Sequence, residues 1–454
     1  MIERKAEQFI KRFLIEDNRA LLVSGARQVG KTFLIRKVCK ELFENVVEIN
    51  FIEQPDAVSL LDKATDVKNI FLRLSAIADK PLMPGKTIIF FDEVQKCPEI
   101  VTAIKFLVDD GRFKYVLSGS TLGVELQDIR SVPVGYMYEY IMYPLDMQEF
   151  FKAIGINDNV VNELKNCFLN RVSVDEFIHK RMLGVVNLYL LVGGMPAVVQ
   201  RYLDTNNIKS VYEEQIGILN MYKKDISQYD FENKLQIEDI FELIPSELNS
   251  KNKRFIIKNL NEKARFSKYE SRFLWLKNAA VAIPTFNVDE PKMPLELSKQ
   301  RNLFKLFLSD VGLLAAMYGG NIQTAVLSNA PSINYGSIYE NLVAQELCAH
   351  GFSKDKHFLY YYNNKKIGEV DFIVEYDNRV VPVEVKSGKD YERHIALNNL
   401  LDIKDFDINE AYVFCSSNLF VKDKVVYYPI YMIAFFEQVQ VEDKVFKLDL
   451  SGLK

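Results

Sequence analysis

The residues Gly25-Ala26-Arg27-Gln28-Val29-Gly30-Lys31-Thr32 constrain this chain more than any other stretch of it. They fit the pattern G-x-x-x-x-G-K-[ST] without a mismatch, with the apolar run ALLVS before them and the helical TFLIRKVCKELF after. In a strand–loop–helix unit the glycines let backbone N–H groups turn inward around an anion. The following helix then adds the positive end of its dipole. Lys31 is placed to reach the β- and γ-phosphates of a nucleoside triphosphate, and Thr32 to offer its hydroxyl to Mg²⁺. From average residue frequencies such a pattern arises by chance in only about one or two chains of this length in a hundred. The loop also implies its surroundings. ALLVSG, VVEINF, TIIFFDE, FKYVLSG and YMYEYIMYPL are nearly unbroken apolar runs separated by amphipathic stretches. Strands buried on both faces read this way, so an α/β fold with a mainly parallel sheet is expected.

The run TIIFFDE ends in two carboxylates, Asp92 and Glu93. Downstream of a phosphate loop, Asp92 is expected to hold Mg²⁺, directly or through water, and Glu93 to polarise an attacking water. In YVLSGS, Ser118 or Ser120 is a candidate for sensing the γ-phosphate, although serines at strand ends are also ordinary turn formers.

At 454 residues the chain exceeds one typical domain. With 48% hydrophobic and 26% charged residues it can build sizeable cores. Its net charge of −4 provides no global field for nucleic acid, while leaving room for a local basic groove. Cys39, Cys97, Cys167, Cys348 and Cys415 form no CxxC pair, and with four histidines this argues against structural zinc and for a reducing compartment. MIERKAEQFIKRFL lacks a signal-peptide core, and no run of about 18 uncharged apolar residues is present. A cytoplasmic protein with no membrane partner is expected. Pattern shifts divide the chain into a nucleotide-binding region at 1–145, a helical lid at 146–225, a region of helices followed by strands at 226–318, and a second α/β region at 319–454.

That last region holds a second constellation. SIYENLVAQELCAHG reads as a helix carrying Glu340, EVDFIVEY as a strand carrying Asp371, and VVPVEVKSG as a strand carrying Glu384 and Lys386. Residues 384 and 386 project from one face of their strand. Asp371 and Glu384 are candidate Mg²⁺ ligands, Glu340 a third carboxylate, and Lys386 a group to orient water or stabilise charge on a phosphate. Upstream, Arg265, Lys268, Arg272 and Lys277 interleave with Phe266, Tyr269, Phe273 and Trp275. Such a mixture can face DNA phosphates. At helical spacing, Phe266, Tyr269, Phe273 and Leu276 more naturally form a core stripe.

The segments SGARQVGKT, IIFFDEVQKCP, VLSGSTLG, YPLDMQEF, LVGGMPAVV, SRFLWLKNAAVA, LFLSDVGLL, GSIYENLVAQEL, GEVDFIVE and VEVKSG occur in that order. Together they resemble the AAA+ ATPases, and more narrowly a prokaryotic family that joins an AAA-type N-terminal domain to a C-terminal domain of the DUF4143 type. The resemblance implies ATP and Mg²⁺ as cofactors, a winged-helix fold for 226–318, and a homo-oligomer in which a neighbour's arginine completes the ATP site. Relatives carry Gly-Arg before the strand that precedes YPL, where this chain has Val134-Gly135-Tyr136. Arg112, Arg130 and the lid residue Arg201 remain as candidates. Glu340, Asp371 and the Glu384-Val385-Lys386 element resemble the PD-(D/E)xK nuclease superfamily, whose fold also includes inactive members. The expectation is an ATPase whose nucleotide state controls a Mg²⁺-dependent nuclease-like domain, with the turn around Gly193, Gly194 and Pro196 transmitting the change. The alternative is an ATP-dependent switch that binds DNA or protein without cutting.

Overall fold

The computed structural model describes residues 2–62, 67–119, 135–229, 234–250, 252–260, 266–320, 326, 335–353 and 358–439. The N-terminal apolar runs are strands β1 (Ala20–Ser24), β2 (Asn45–Asn50), β3 (Thr87–Asp92), β4 (Lys114–Ser118) and β5 (Met137–Ile141). They form a five-stranded sheet in the order β2-β3-β4-β1-β5, with every pair parallel. All residues of β1 and β3 are buried, which is why the sequence shows no polar alternation there. Since β4 lies between β3 and β1, the C-terminal ends of these strands stand side by side. Helix Lys31–Leu42 leaves β1 with Leu34, Ile35, Val38 and Cys39 packed inward.

Beyond β5 the chain turns helical, as expected. Helices span Met147–Ala153, Asp158–Asn170, Glu176–Val192, Pro196–Thr205 and Ile208–Tyr229. The first begins with a capping box. Asp146 accepts the Glu149 N–H at 2.8 Å, and Glu149 accepts the Asp146 N–H at 3.3 Å.

The second sheet departs from the expected boundaries. It has eight strands, β6 (Ala282–Val288), β7 (Lys299–Leu308), β8 (Leu359–Asn364), β9 (Gly368–Tyr376), β10 (Arg379–Val385), β11 (Ala411–Cys415), β12 (Phe420–Lys422) and β13 (Val425–Pro429). Their order is β12-β13-β11-β10-β9-β8-β6-β7. The strands expected as a wing of the 226–318 region are β6 and β7, and β6 pairs in parallel with β8 from Thr285↔Leu359 to Val288↔Tyr362. A boundary at 319 therefore cuts through a sheet. A wing keeps one face in water, whereas all of β6 and Phe304–Leu308 of β7 are buried and need cover on both faces.

The interleaved aromatic segment is helix Phe266–Asn278, and Tyr269, Phe273, Trp275 and Leu276 are buried in it. Phe273 packs 4.7 Å from Phe304 of β7 and 5.1 Å from Phe255. Arg272 lies over the Tyr269 ring and Lys277 over Phe358, while Arg265 lies outside the described residues. The core-stripe reading therefore holds for this helix.

One apolar core runs from Leu21 and Val23 of β1 through Tyr189 and Val192 of helix Glu176–Val192 to Phe372 and Val383 of the second sheet. A second cluster, with Ile89, Phe91 and Leu107, covers the other face of the first sheet. All five cysteines are buried and none is disulfide-bonded. Among the described residues no single helix is long and apolar enough to cross a membrane. Glu176–Val192 and Pro196–Thr205, bent by 118°, pass such a test only as a pair. Val186, Leu190, Val198 and Val199 of that pair lie in the core.

Candidate functional site

The glycine loop is built for close backbone approach. Gly25 has φ +134°, and a Cβ there would stand 2.3 Å from the Met142 carbonyl oxygen, so any larger residue would displace the backbone beyond β5. Gln28 takes the left-handed conformation at φ 67°, a strained choice of the kind that collects at functional loops. Lys31 is buried, and its Nζ donates to the carbonyls of Gly25 and Ala26, each at 2.8 Å. Burial pulls this ammonium down to about 8, with Glu93 and Asp92 opposing.

Asp92 is the hub of the acidic side. The Thr32 hydroxyl donates to its carboxylate at 3.2–3.3 Å, and Asn50 Nδ2 does so at 3.2 Å. Asp92 also accepts from the Ser118 hydroxyl. Glu93 follows in the left-handed conformation, φ 57°, and accepts from the Gln95 side-chain amide. Lys31, Thr32, Asp92 and Glu93 line one cavity of about 550 Å³. Thr32 and Asp92 are the oxygen donors that a hard cation takes, and the start of helix Lys31–Leu42 and the Lys31 ammonium suit phosphate. The residues present therefore fit ATP with Mg²⁺. Of the serines considered as sensors, Ser118 is fully buried and serves to fix Asp92, and Ser120 lies outside the described residues.

Residues with no sequence signature complete this cavity. Arg4 lines it, donating to the Val29 carbonyl at 3.0 Å, to the Tyr143 carbonyl at 2.7 Å and to Glu149 at 3.1 Å. Arg27 pairs with Asp225 of helix Ile208–Tyr229 at 2.6 Å, and the Tyr222 hydroxyl donates to the Arg27 carbonyl at 3.2 Å. Among the arginine candidates, Arg112 pairs with Asp110 at 2.6 Å and Arg201 stands 3.4 Å from Glu214. Arg130 and Val134 lie outside the described residues.

The opposite wall comes from helix Pro196–Thr205, where Pro196, Ala197 and Gln200 line the same cavity. The turn before Pro196 is held from two sides. Leu145 N–H donates to the Gly194 carbonyl at 2.7 Å, and Gly194 N–H donates to Asp310 Oδ2 at 2.6 Å. A Cβ on Gly193, where φ is +71°, would meet Asp310 Oδ1 at 2.3 Å. Asp310 also caps helix Val311–Met317 by accepting the Leu313 N–H at 2.9 Å. Just before it, Leu308 at the end of β7 donates its N–H to Asn341 at 2.8 Å and accepts from the Asn341 amide at 3.0 Å.

Asn341 is next to Glu340, and here the second constellation assembles. Glu340, Asp371, Glu384 and Lys386 line a common cavity of about 380 Å³. Asp371 Oδ2 accepts the Val385 N–H at 2.9 Å, and Lys386 Nζ lies 2.7 Å from Glu384. The middle region adds what the sequence did not announce. Lys305 of β7, with no exposed side chain, is 2.7 Å from Glu369, 3.5 Å from Glu340 and 3.8 Å from Asp371. Lys253 donates to Glu340. Burial and the neighbouring Asp371 push Glu384 up to about 8 against the pull of Lys386. Glu340 is raised by burial and Asp371, with Lys305 and Lys253 opposing. Among the described residues no group of three or more His, Cys, Asp or Glu is arranged to hold a metal ion. As they stand, the expected ligands Asp371, Glu384 and Glu340 face lysines, so they do not present an open cation site. Lys305 had a faint signal, a charge inside the apolar run NLFKLFL. Lys253, in a polar stretch, had none.

A glycine loop ending in Lys-Thr, set after an inner strand of a parallel sheet and facing an acid at the end of β3, defines the P-loop class. Comparison with known families narrows this. The model of an AAA domain matches residues 17–151, a domain of unknown function (DUF8612) matches 185–324, and a domain of unknown function (DUF4143) matches 335–433. The chain therefore joins an AAA domain at its N-terminal end to a DUF4143 domain at its C-terminal end. No curated protein matches it. Among solved structures it is similar to the Orc1 protein of Aeropyrum pernix in complex with DNA, at 13% identity over 73% of this chain and 93% of that one, with TM-score 0.30. It is also similar to a signal transduction ATPase with numerous domains and a tetratricopeptide repeat sensor from Pyrococcus horikoshii, at 13% identity over 77% of this chain and 45% of that one, TM-score 0.27. C. elegans PCH-2 is similar at 14% identity over 61% of this chain and 69% of that one, TM-score 0.23.

Proposed function

We propose that this AAA-domain protein is an ATP-driven switch whose nucleotide state controls the C-terminal carboxylate–lysine site. The observation that carries the reading is the position of Asp310. This buried carboxylate holds the lid turn that leads into Pro196 at the nucleotide cavity, and it lies two residues beyond β7, the strand that places Lys305 in the second site.

ATP with Mg²⁺ supplies the phosphoanhydride bond and the positive charge that offsets developing negative charge during its cleavage. The N–H groups of Gly25–Thr32 and the helix after them hold the phosphates. Lys31 exchanges the carbonyls of Gly25 and Ala26 for phosphate oxygen. Thr32 and Asp92 would hold the ion, and Glu93 would orient water and take its proton. Pro196 and Ala197 close over the nucleotide and shift the Gly194–Asp310 contact. Self-association through the nucleotide face and contact with DNA belong to this proposal as well.

At the second site Asp371, Glu384 and Lys386 would act on a phosphodiester of nucleic acid. A non-cutting switch is the second reading, and the pairing of Glu340 with Lys253 and Lys305 favours it. A cleavage assay on single- and double-stranded nucleic acid with ATP and Mg²⁺ separates the two. Loss of cutting in both Lys31→Ala and Lys386→Ala supports nucleotide control of a nuclease. Nucleotide-dependent binding without cutting in the wild type supports the second reading.

A further inference from the structure

We infer that Lys253 is a removable internal counter-ion that keeps the C-terminal carboxylates closed to a hard divalent cation. The inference rests on the proposed switch and names its lock. Glu340, Glu369, Asp371 and Glu384 line one cavity with Lys253 and Lys386, and the buried Lys305 pairs with Glu369 and Glu340. With Lys253 in place the cluster is nearly neutral. Its withdrawal leaves four carboxylates facing two lysines, an imbalance that a single Mg²⁺ or Mn²⁺ offsets.

The lysines differ in how freely they can leave. Lys305 is fully buried and fixed in the β6–β7 ladder opposite Thr285. Lys386 is at least as exposed as Lys253, at 28%, but its partner Glu384 is only two residues away on the same strand end, so it stays near the cluster. Lys253 has 23% of its side chain exposed, and it sits in the left-handed conformation, φ 48°, in the short segment that follows helix Lys234–Asn249. A side chain on a turn can swing out where one in a ladder cannot.

One acceptor points to what would enter. Glu384 Oε2 is buried without a hydrogen-bond partner on a residue only 6% exposed, and Glu340 Oε2 has only Lys305 Nζ at 3.5 Å. Buried carboxylate oxygens with unused acceptor capacity are suited to an oxygen-seeking cation. A path to the nucleotide exists too. Helix Lys234–Asn249 packs against helix Ile208–Tyr229, and the Lys223–Glu242 ion pair ties the two. The second of these helices carries Asp225, the partner of Arg27 in the glycine loop.

The test uses the full chain in an Asp92→Asn background, which weakens the cation place at the nucleotide site, and Mn²⁺ as the probe, followed by its electron paramagnetic resonance signal. Adding Lys253→Gln should tighten Mn²⁺ binding about tenfold or more, since one nearby like charge is gone. Lys253→Arg should leave binding weak, and Glu384→Gln should abolish the gain. Unchanged affinity in Lys253→Gln overturns the lock. If that unchanged binding is already tight and depends on Glu384, the nuclease-like reading survives without the lock. If no variant binds Mn²⁺, the lock and the cation-dependent reading fail together. A second measurement needs no variant. In the wild type, saturating Mn²⁺ should raise acetylation of Lys253 by acetic anhydride several-fold, read by mass spectrometry, while Lys305 stays protected. Equal labelling with and without bound Mn²⁺ overturns the inference.

Discussion

Gly194 donates its backbone N–H to Asp310 Oδ2 at 2.6 Å, while Oδ1 of the same carboxylate accepts the Leu313 N–H at 2.9 Å. One buried side chain therefore fixes the lid turn at the nucleotide cavity and the start of the helix that follows β7. An Asp310→Ala change leaves both N–H groups without an acceptor and removes a helix cap. A destabilisation of about 2–4 kcal/mol is expected from these losses. Urea denaturation measures it, and a change below about 0.5 kcal/mol would mean that the turn does not depend on this carboxylate.

Asp310 also gives the protein a pH dependence. Burial raises its pKa from 3.8 to about 6, against the backbone N–H groups of Gly194, Leu313, Gly312 and Met195. An acid whose folded value lies above its unfolded value is held in the protonated form by folding. Its contribution is therefore largest in acid and falls as pH rises through about 6. The shift corresponds to on the order of 3 kcal/mol. Wild type minus Asp310→Asn, compared by urea denaturation near pH 4 and near pH 7.5, should show the wild type losing relative stability toward neutral pH. A difference that does not change with pH would contradict this.

Glycine substitutions should divide by location. Gly193→Ala places a methyl 2.3 Å from Asp310 Oδ1 at a positive φ, so the lid turn must move. Nucleotide affinity should fall with it, as read by fluorescent ATP-analogue titration. Gly184, inside helix Glu176–Val192, has open space around its added Cβ. Gly184→Ala should raise stability by up to about 1 kcal/mol and leave affinity unchanged. Equal effects of the two would remove the special role of the turn.

The nucleotide site predicts distinct defects. Lys31→Ala should lose binding altogether. Glu93→Gln should keep binding but lower turnover by roughly 10²–10⁴-fold, the usual range for a general base. Arg4→Ala should weaken binding without abolishing it, because it loosens the Val29 carbonyl and Glu149 rather than a phosphate contact. Calorimetry and phosphate release separate these cases. Full turnover by Glu93→Gln would remove that residue from the mechanism.

The first sheet was legible because its strands are buried on both faces, and an unbroken apolar run such as TIIFFD has few other places to go. Loop and acid were legible because close phosphate approach restricts residue type as well as spacing. The 226–318 region was misjudged in the placement of its strands. A hairpin of buried residues reads the same whether it stands as a wing or adds to a distant sheet, since the partner β8 is set by tertiary contact. Arg4 and Lys253 carried no local pattern, and Asp310 lay in the segment LFLSDVGLL without any sign of what it holds. Each gains its role from a residue far along the chain, Glu149, Glu340 and Gly194 respectively, and spacing within a segment cannot report that. The Glu384–Lys386 pair was found from strand alternation, from a charged pair inside an apolar strand and from the superfamily resemblance, yet the lysines facing those carboxylates were not.

The account stands on communication between the two sites, and hydrogen–deuterium exchange of the full chain measures that directly. Peptides containing Lys253, Lys305 and Glu384–Lys386 should change protection when a non-hydrolysable ATP analogue binds with Mg²⁺. The same peptides should not respond in Lys31→Ala, and should respond weakly in Asp310→Ala although the analogue still binds. Saturation of the nucleotide site with no change at those peptides in the wild type would contradict the switch.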